Sequence, residues 1–212
     1  MEFKDLSDLE VLCFGVATHA YASVQHRRKY GKEPYIVHPW AVAELVKSVG
    51  GTEIMVSAAF LHDVLEDVPK YDRHELIWTL LEGVDGWKSR FEGQDENWEG
   101  KCRQVVDLVQ WLTDPATKED GNRETRIAIN LKHIAAAPVE AKTIKLADMI
   151  DNTASIIRDD PTFAIRYMAE KKDALPLLAE GHPHLFSRCS EQVRQYDTMR
   201  LQEDLRQKAL RQ

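Results

Sequence analysis

Apolar residues recur at intervals of three and four along nearly all of this 212-residue sequence, and that spacing confines the chain to a helical architecture. Helices are predicted from about Leu6 to Gln25, from Pro39 to Gly50-Gly51, and from a Thr52 cap to Pro69. Further helices are predicted over Asp72–Leu81, Lys101–Leu112, Arg123–Ala137 and Glu140–Arg158, with two more beyond Thr162. No paired strands are expected. The segment between Glu82 and Gly100 carries four glycines with Trp87 and Trp98, and reads as a structured loop or two short helices. The expected fold is all-α, a bundle of roughly eight to ten helices. Residues 1–160 are expected to form its core and 161–212 a helical extension packed on the same domain.

The third predicted helix contains AAFLHDVLEDV, in which His62, Asp63, Glu66 and Asp67 interrupt an otherwise apolar run. On a continuous helix His62 and Glu66 stand four apart, as do Asp63 and Asp67, so the polar groups crowd near the helix end. Three close carboxylates repel one another, and burying them unpaired would cost several kcal/mol. A metal ion removes that cost, and a mixed imidazole and carboxylate set suits Mn, Fe, Co, Ni or Zn. His38 and Asp148 are the best additional ligands. His38 precedes Pro39, which is expected to push its backbone out of the helical region so that the side chain projects at the mouth of the second helix. Asp148 lies in the apolar frame of Ile144, Leu146, Ala147, Met149 and Ile150, where a bare carboxylate needs a partner, and Asn152 shares its face one turn later.

Charge narrows the partners. The formal net charge of −7 argues against general nucleic-acid binding or polybasic membrane attachment, so a polyanionic ligand must meet a local cationic patch or a metal. The basic run Arg27-Arg28-Lys29 with Lys32 supplies such a patch. The longest apolar run, Ile54 to Leu61, is far short of the ~20 residues of a membrane-crossing helix. Acidic residues in the opening MEFKDLSDLE do not suit an export signal, and three widely spaced cysteines without CxxC pairing fit a reducing, cytoplasmic setting.

The segments RRKYGKEPYIVHPWAVAELV, AAFLHDVLEDV and KLADMIDN, in that order, resemble the hydrolase domains of the RelA/SpoT-homologue branch of the HD-domain metal-dependent phosphohydrolases. The resemblance runs from about Ala17 to Ile157. It implies an HD-type helical core in which His38, His62, Asp63 and Asp148 bind one Mn2+, with Fe, Co, Ni or Zn as substitutes. Glu66 and Asp67 would orient or deprotonate the attacking water. Arg27, Lys29, Tyr35, Lys145 and Asn152 would contact a phosphorylated nucleotide. The implied activity is (p)ppGpp 3′-pyrophosphohydrolysis. The alternatives are another nucleotide (ppApp, NADPH at its 2′ phosphate, or a nucleoside phosphate) and a non-catalytic metal-stabilised binding module. Nothing in the sequence indicates the oligomeric state.

Two departures from the resemblance fall in the substrate pocket: Val68 follows the Glu-Asp pair where the family often has Thr, and Asp151 precedes Asn152 where it has His or Tyr. A looser set, Thr113, Asp114, Lys118, Asn122, Arg123 and Arg126, could add phosphate contacts. The remaining histidines, His19, His26, His74, His133, His182 and His184, lack aligned acidic partners and are expected to be ordinary core or surface residues. The five tryptophans are expected to pack, with Trp87 and Trp98 as minor candidates for capping a nucleobase.

Overall fold

The computed structural model describes residues 1–82 and 97–211, so the expectations for Trp87 and most of the glycine-containing segment lie outside the described residues. The α-helices are α1 (Asp8–Ser23), α2 (Val37–Ser48), α3 (Glu53–Leu61), α4 (Val64–Asp67) and α5 (Arg73–Glu82). They continue with α6 (Trp98–Leu112), α7 (Arg123–Ala135), α8 (Val139–Asp159), α9 (Pro161–Ala174) and α10 (Pro183–Ala209). Among the described residues there is no strand, only an isolated bridge between Arg27 and Pro34. No helix among them is long and apolar enough to cross a membrane.

Two helices organise the rest. In α3 every residue from Met55 to Leu61 is buried, as expected of a segment apolar on all sides, and α1, α2 and α6 pack around it. Its start is set by the Thr52 hydroxyl, which accepts from the Met55 N–H, and by the turn before it. There Gly50 takes a left-handed φ of 79°, and a Cβ on Gly51 would come within 2.4 Å of Val46. The long α8 is the second axis. It packs on α2 and α6 on one side and on α9 and α10 on the other. Pro161 opens α9 directly after α8, with the Asp160 carboxylate accepting from the Phe163 N–H.

The predicted continuous helix from Thr52 to Pro69 is broken at His62 and Asp63, where Asp63 takes φ −101° and ψ 0°. The break has a geometric consequence. Successive residues on a helix diverge by about 100° and do not face each other, yet His62 Nε2 and Asp63 Oδ2 lie 2.9 Å apart. His38 also differs from expectation. It sits inside the first turn of α2 rather than ahead of it, and Pro39 follows in that turn, where its missing N–H breaks no helical bond. Trp40 packs against Phe14 and Phe60 as expected, whereas Trp78 is 60% exposed.

Lys171 joins three helices. Its buried ammonium donates to the Thr153 hydroxyl (2.7 Å), the Gln192 side-chain oxygen (2.6 Å) and the Met149 carbonyl (3.4 Å). Burial pushes it down from its ordinary 10.5 to about 8. Between those values the unfolded chain binds more protons than the folded one, so this group makes stability rise with pH across the window. Wild type is expected to gain up to about 3 kcal/mol over Lys171→Met between pH 7.5 and 10.5 in urea titrations. A pH-independent difference would show that the burial cost is absent.

Candidate metal centre

His38 from α2, His62 from the α3–α4 break and Asp148 from the middle of α8 meet in the core. One ligand atom from each lies within 4.8 Å of the others. All three residues are buried. Each imidazole is held from behind. His38 Nδ1 lies 2.7 Å from Asp151 Oδ2, and His62 Nδ1 lies 2.9 Å from the Ala59 carbonyl. Both partners only accept, so each Nδ1 carries a proton and each Nε2 is the atom turned to the centre. Although burial opposes the charge, Asp148 and Asp151 raise His38 to about 9 and Asp63 raises His62, so each Nε2 gives up a proton on taking up an ion. Neither Nε2 makes a hydrogen bond, although Asp148 Oδ1 stands 3.2 Å from His38 and Asp63 Oδ2 stands 2.9 Å from His62. Two buried imidazole Nε2 atoms that face carboxylate oxygens without a hydrogen bond fit a site where a divalent cation replaces their protons.

Asp63 stands beside this triad. Its Oδ2 accepts from the Tyr35 hydroxyl at 2.6 Å and lies 3.7 Å from His38 Nε2. Burial opposes its charge, but His62 beside it holds the carboxyl down to about 2. Asp148 divides its two oxygens. Oδ2 pairs with Lys145 at 2.9 Å, while Oδ1 faces the imidazoles and accepts from the Asn152 amide at 2.6 Å. Although burial alone would raise Asp148, Lys145 and His38 keep it well below the carboxylate range.

The expected crowding of acidic groups is only partial. Asp67 turns to His26, 3.5 Å away, so His26 has the acidic partner that its sequence context does not reveal. Glu66 accepts from the backbone N–H of Asp114. Although Glu66 has an exposed surface, desolvation of its carboxyl and the Asp63 charge push it up to about 7, against the pull of Lys145.

The basic run forms a tight turn between His26 and Tyr35, with Gly31 and Lys32 in left-handed conformations at its tip. Arg27 is exposed and donates to the Lys32 carbonyl, and Lys29 pairs with Asp160 at 3.2 Å. It is Arg28 that turns inward, donating to Asp151 (2.9 Å), Ser155 (3.2 Å) and Asn152 (3.3 Å), the side chains behind the centre. Tyr35 is committed to Asp63.

A cleft of about 450 Å³ opens beside Asp148, within the size range of small-molecule sites. Lys145, Asn152 and Met149 of α8 form one wall. Arg123, Arg126 and Asn130 of α7 form another, and Tyr167 and Lys171 of α9 also line it. Trp111 lies in the lining, stacked on His133 with ring centroids 4.9 Å apart. The cleft tryptophan is therefore Trp111, which periodicity marks only as a helix residue. Trp98 begins α6 and packs against the core. Asp151, Arg28 and the Trp111–His133 pair are the residues that sequence patterning underrates. The available signal for Asp151 was its place one turn after Asp148, at the point where the chain departs from the resemblance.

A helical bundle that brings two buried imidazoles and a buried carboxylate to one point beside a cleft lined by charged side chains is suited to holding a divalent cation next to a polar ligand. The chain belongs to the HD domain family, which matches it over residues 14–175. It is 30% identical over 167 residues to a probable guanosine-3′,5′-bis(diphosphate) 3′-pyrophosphohydrolase of Synechocystis. That match takes in 79% of this chain but only 19% of the relative's length. It is 28% identical to the Xenopus tropicalis guanosine-3′,5′-bis(diphosphate) 3′-pyrophosphohydrolase MESH1, over 72% of this chain and 71% of that one. The fold is similar to that of a metazoan ortholog of SpoT that hydrolyses ppGpp. The TM-score is 0.67 at 23% identity, over 90% of this chain and 96% of the other.

Proposed function

We propose that the protein is a Mn2+-dependent 3′-pyrophosphohydrolase of ppGpp. The observation that carries the reading is the triad of His38, His62 and Asp148, with its unbonded Nε2 atoms and with Asp148 on the wall of a cleft that Lys145 and Arg126 also line. The substrate comes from the relatives, whose activity is 3′-pyrophosphohydrolysis and one of which is matched over most of its length.

In this reading His38, His62, Asp63 and Asp148 hold the ion. When bound, it supplies the Lewis acidity that brings the pKa of water toward neutrality and offsets phosphate charge. The chain's own residues do the rest. Water oxygen bonds to the phosphorus attached to the ribose 3′ oxygen, the bond between them breaks, and pyrophosphate leaves while the 3′ oxygen takes a proton. Glu66, with Asp67 as its neighbour, receives the proton that water gives up, since a carboxyl near 7 matches a base working at neutral pH. Lys145 and the α7 arginines set positive charge beside the phosphates, Asn152 supplies an amide, and Arg28 stands behind it. Arg27 and Lys29, at the outer edge of the turn, are left for the distal phosphates. The stacked Trp111–His133 pair offers an apolar face to a base.

Incubating the purified protein and Mn2+ with ppGpp, ppApp, NADPH and GTP, and resolving the products, tests this directly. The expected result is pyrophosphate with the 3′-hydroxyl nucleotide from ppGpp. Release of phosphate from NADPH with ppGpp untouched would transfer the site to a 2′-phosphatase, and no turnover of any of the four would favour a binding module.

A further inference from the structure

Resting on the metal-centre reading above, we propose that Asp151 is a positioning residue shared by both halves of the site. One of its oxygens holds His38 in the metal-facing tautomer and also anchors Arg28 behind Asn152, a residue of the cleft wall. Both bonds end on the same atom. Asp151 Oδ2 accepts from His38 Nδ1 at 2.7 Å and from Arg28 Nη2 at 2.9 Å. Because a carboxylate only accepts, the first bond fixes the proton on Nδ1 and leaves Nε2 as the ligand atom. The second bond is charge-assisted and half-buried, and the guanidinium is completed by the Ser155 hydroxyl and the Asn152 side-chain oxygen.

The same Asn152 donates through its amide to Asp148 Oδ1, so the hydrogen bonds run from Arg28 through Asn152 to a second ligand. Arg28 therefore reaches both His38 and Asp148 through one intermediary each. Asp151 does not touch the triad's centre itself. It sits on α8 between Asp148 and Asn152, at the spot where α2, α8 and the basic turn come together. A neutral side chain there can satisfy one of the two donors but not both with a charged acceptor.

The test separates metal binding from catalysis. Mn2+ affinity is measured by titration calorimetry on metal-stripped wild type, Asp151→Asn, Asp151→Glu and Arg28→Met, and KM and kcat for ppGpp are measured on the same proteins and on the Asp151→Asn/Arg28→Met double variant. Asp151→Asn is expected to weaken Mn2+ binding by about 10- to 100-fold and to raise KM. Arg28→Met is expected to raise KM while its Mn2+ affinity falls by no more than about threefold, and the double variant's KM is expected to match that of the worse single variant. Asp151→Glu, which keeps a charged acceptor, should lie between wild type and Asp151→Asn in both readouts. Unchanged Mn2+ affinity in Asp151→Asn, strictly additive effects on KM, or equal losses in every variant would each overturn the proposal. Wild type that binds no Mn2+ would overturn the metal-centre reading along with it, whereas normal wild-type binding with normal binding by Asp151→Asn overturns this inference alone.

Discussion

Asp63→Ala is expected to lower ppGpp hydrolysis by about 10³-fold or more, the loss that follows when several kcal/mol of charge stabilisation leave a transition state. The reason lies in what surrounds that carboxylate. Its Oδ2 stands 2.9 Å from His62 Nε2 and 3.7 Å from His38 Nε2, and it accepts the Tyr35 hydroxyl. Without it two buried imidazoles face only Asp148, and the Tyr35 hydroxyl loses its acceptor. Mn2+ affinity should fall together with kcat, measured by calorimetry and by steady-state turnover on the same preparation. A metal with a purely structural role would give a different pattern, a lower melting temperature with turnover per folded molecule retained. Wild-type kcat in Asp63→Ala would remove this carboxylate from the centre.

Glu66→Gln is the second large effect. The substitution keeps an oxygen for the Asp114 N–H and removes the basic site, so fold and metal content should be retained while kcat falls by about 10² or more. The pH profile supplies the sign. Glu66 has to be ionised to accept a proton, and desolvation with the Asp63 charge places it near 7 before any ion is added. A cation bound at Asp63 offsets part of that charge, so wild-type activity is expected to rise along an acid limb at or below about pH 7. The glutamine variant should lose that limb. A normal kcat with an unchanged limb would transfer the proton-accepting role to Asp67, which faces His26.

The fold was legible because its determinants are local. Helical spacing, the Thr52 cap, Gly50-Gly51, Pro69 and Pro161 all act within a turn or two of themselves, and the observed helices follow them closely. The convergence of His38, His62 and Asp148 was legible for a different reason. Asp148 inside an apolar helix needs a partner, His62 interrupts another apolar run, and His38 stands out by its place before Pro39. What periodicity misses is departure from it. The break at His62-Asp63 lets adjacent residues face one point, a geometry that an uninterrupted helix forbids. Which of Arg27, Arg28 and Lys29 points inward depends on the left-handed turn at Gly31 and Lys32, and three neighbouring cations look alike in sequence. The cleft is assembled from α6, α7, α8 and α9, so Trp111 and His133 meet only once those helices pack. Asp151 hides for a related reason. It contacts His38 and Arg28 across more than a hundred residues of chain, and its own surroundings mark it only as a departure from the resemblance one turn after Asp148.

Anomalous scattering at the manganese edge, on crystals grown from protein loaded with Mn2+, puts the most direct question to the site. One strong peak is expected within bonding distance of His38 Nε2, His62 Nε2, Asp63 and Asp148, with elemental analysis giving one ion per chain. A peak elsewhere, or none between those side chains in fully loaded protein, would contradict that assignment.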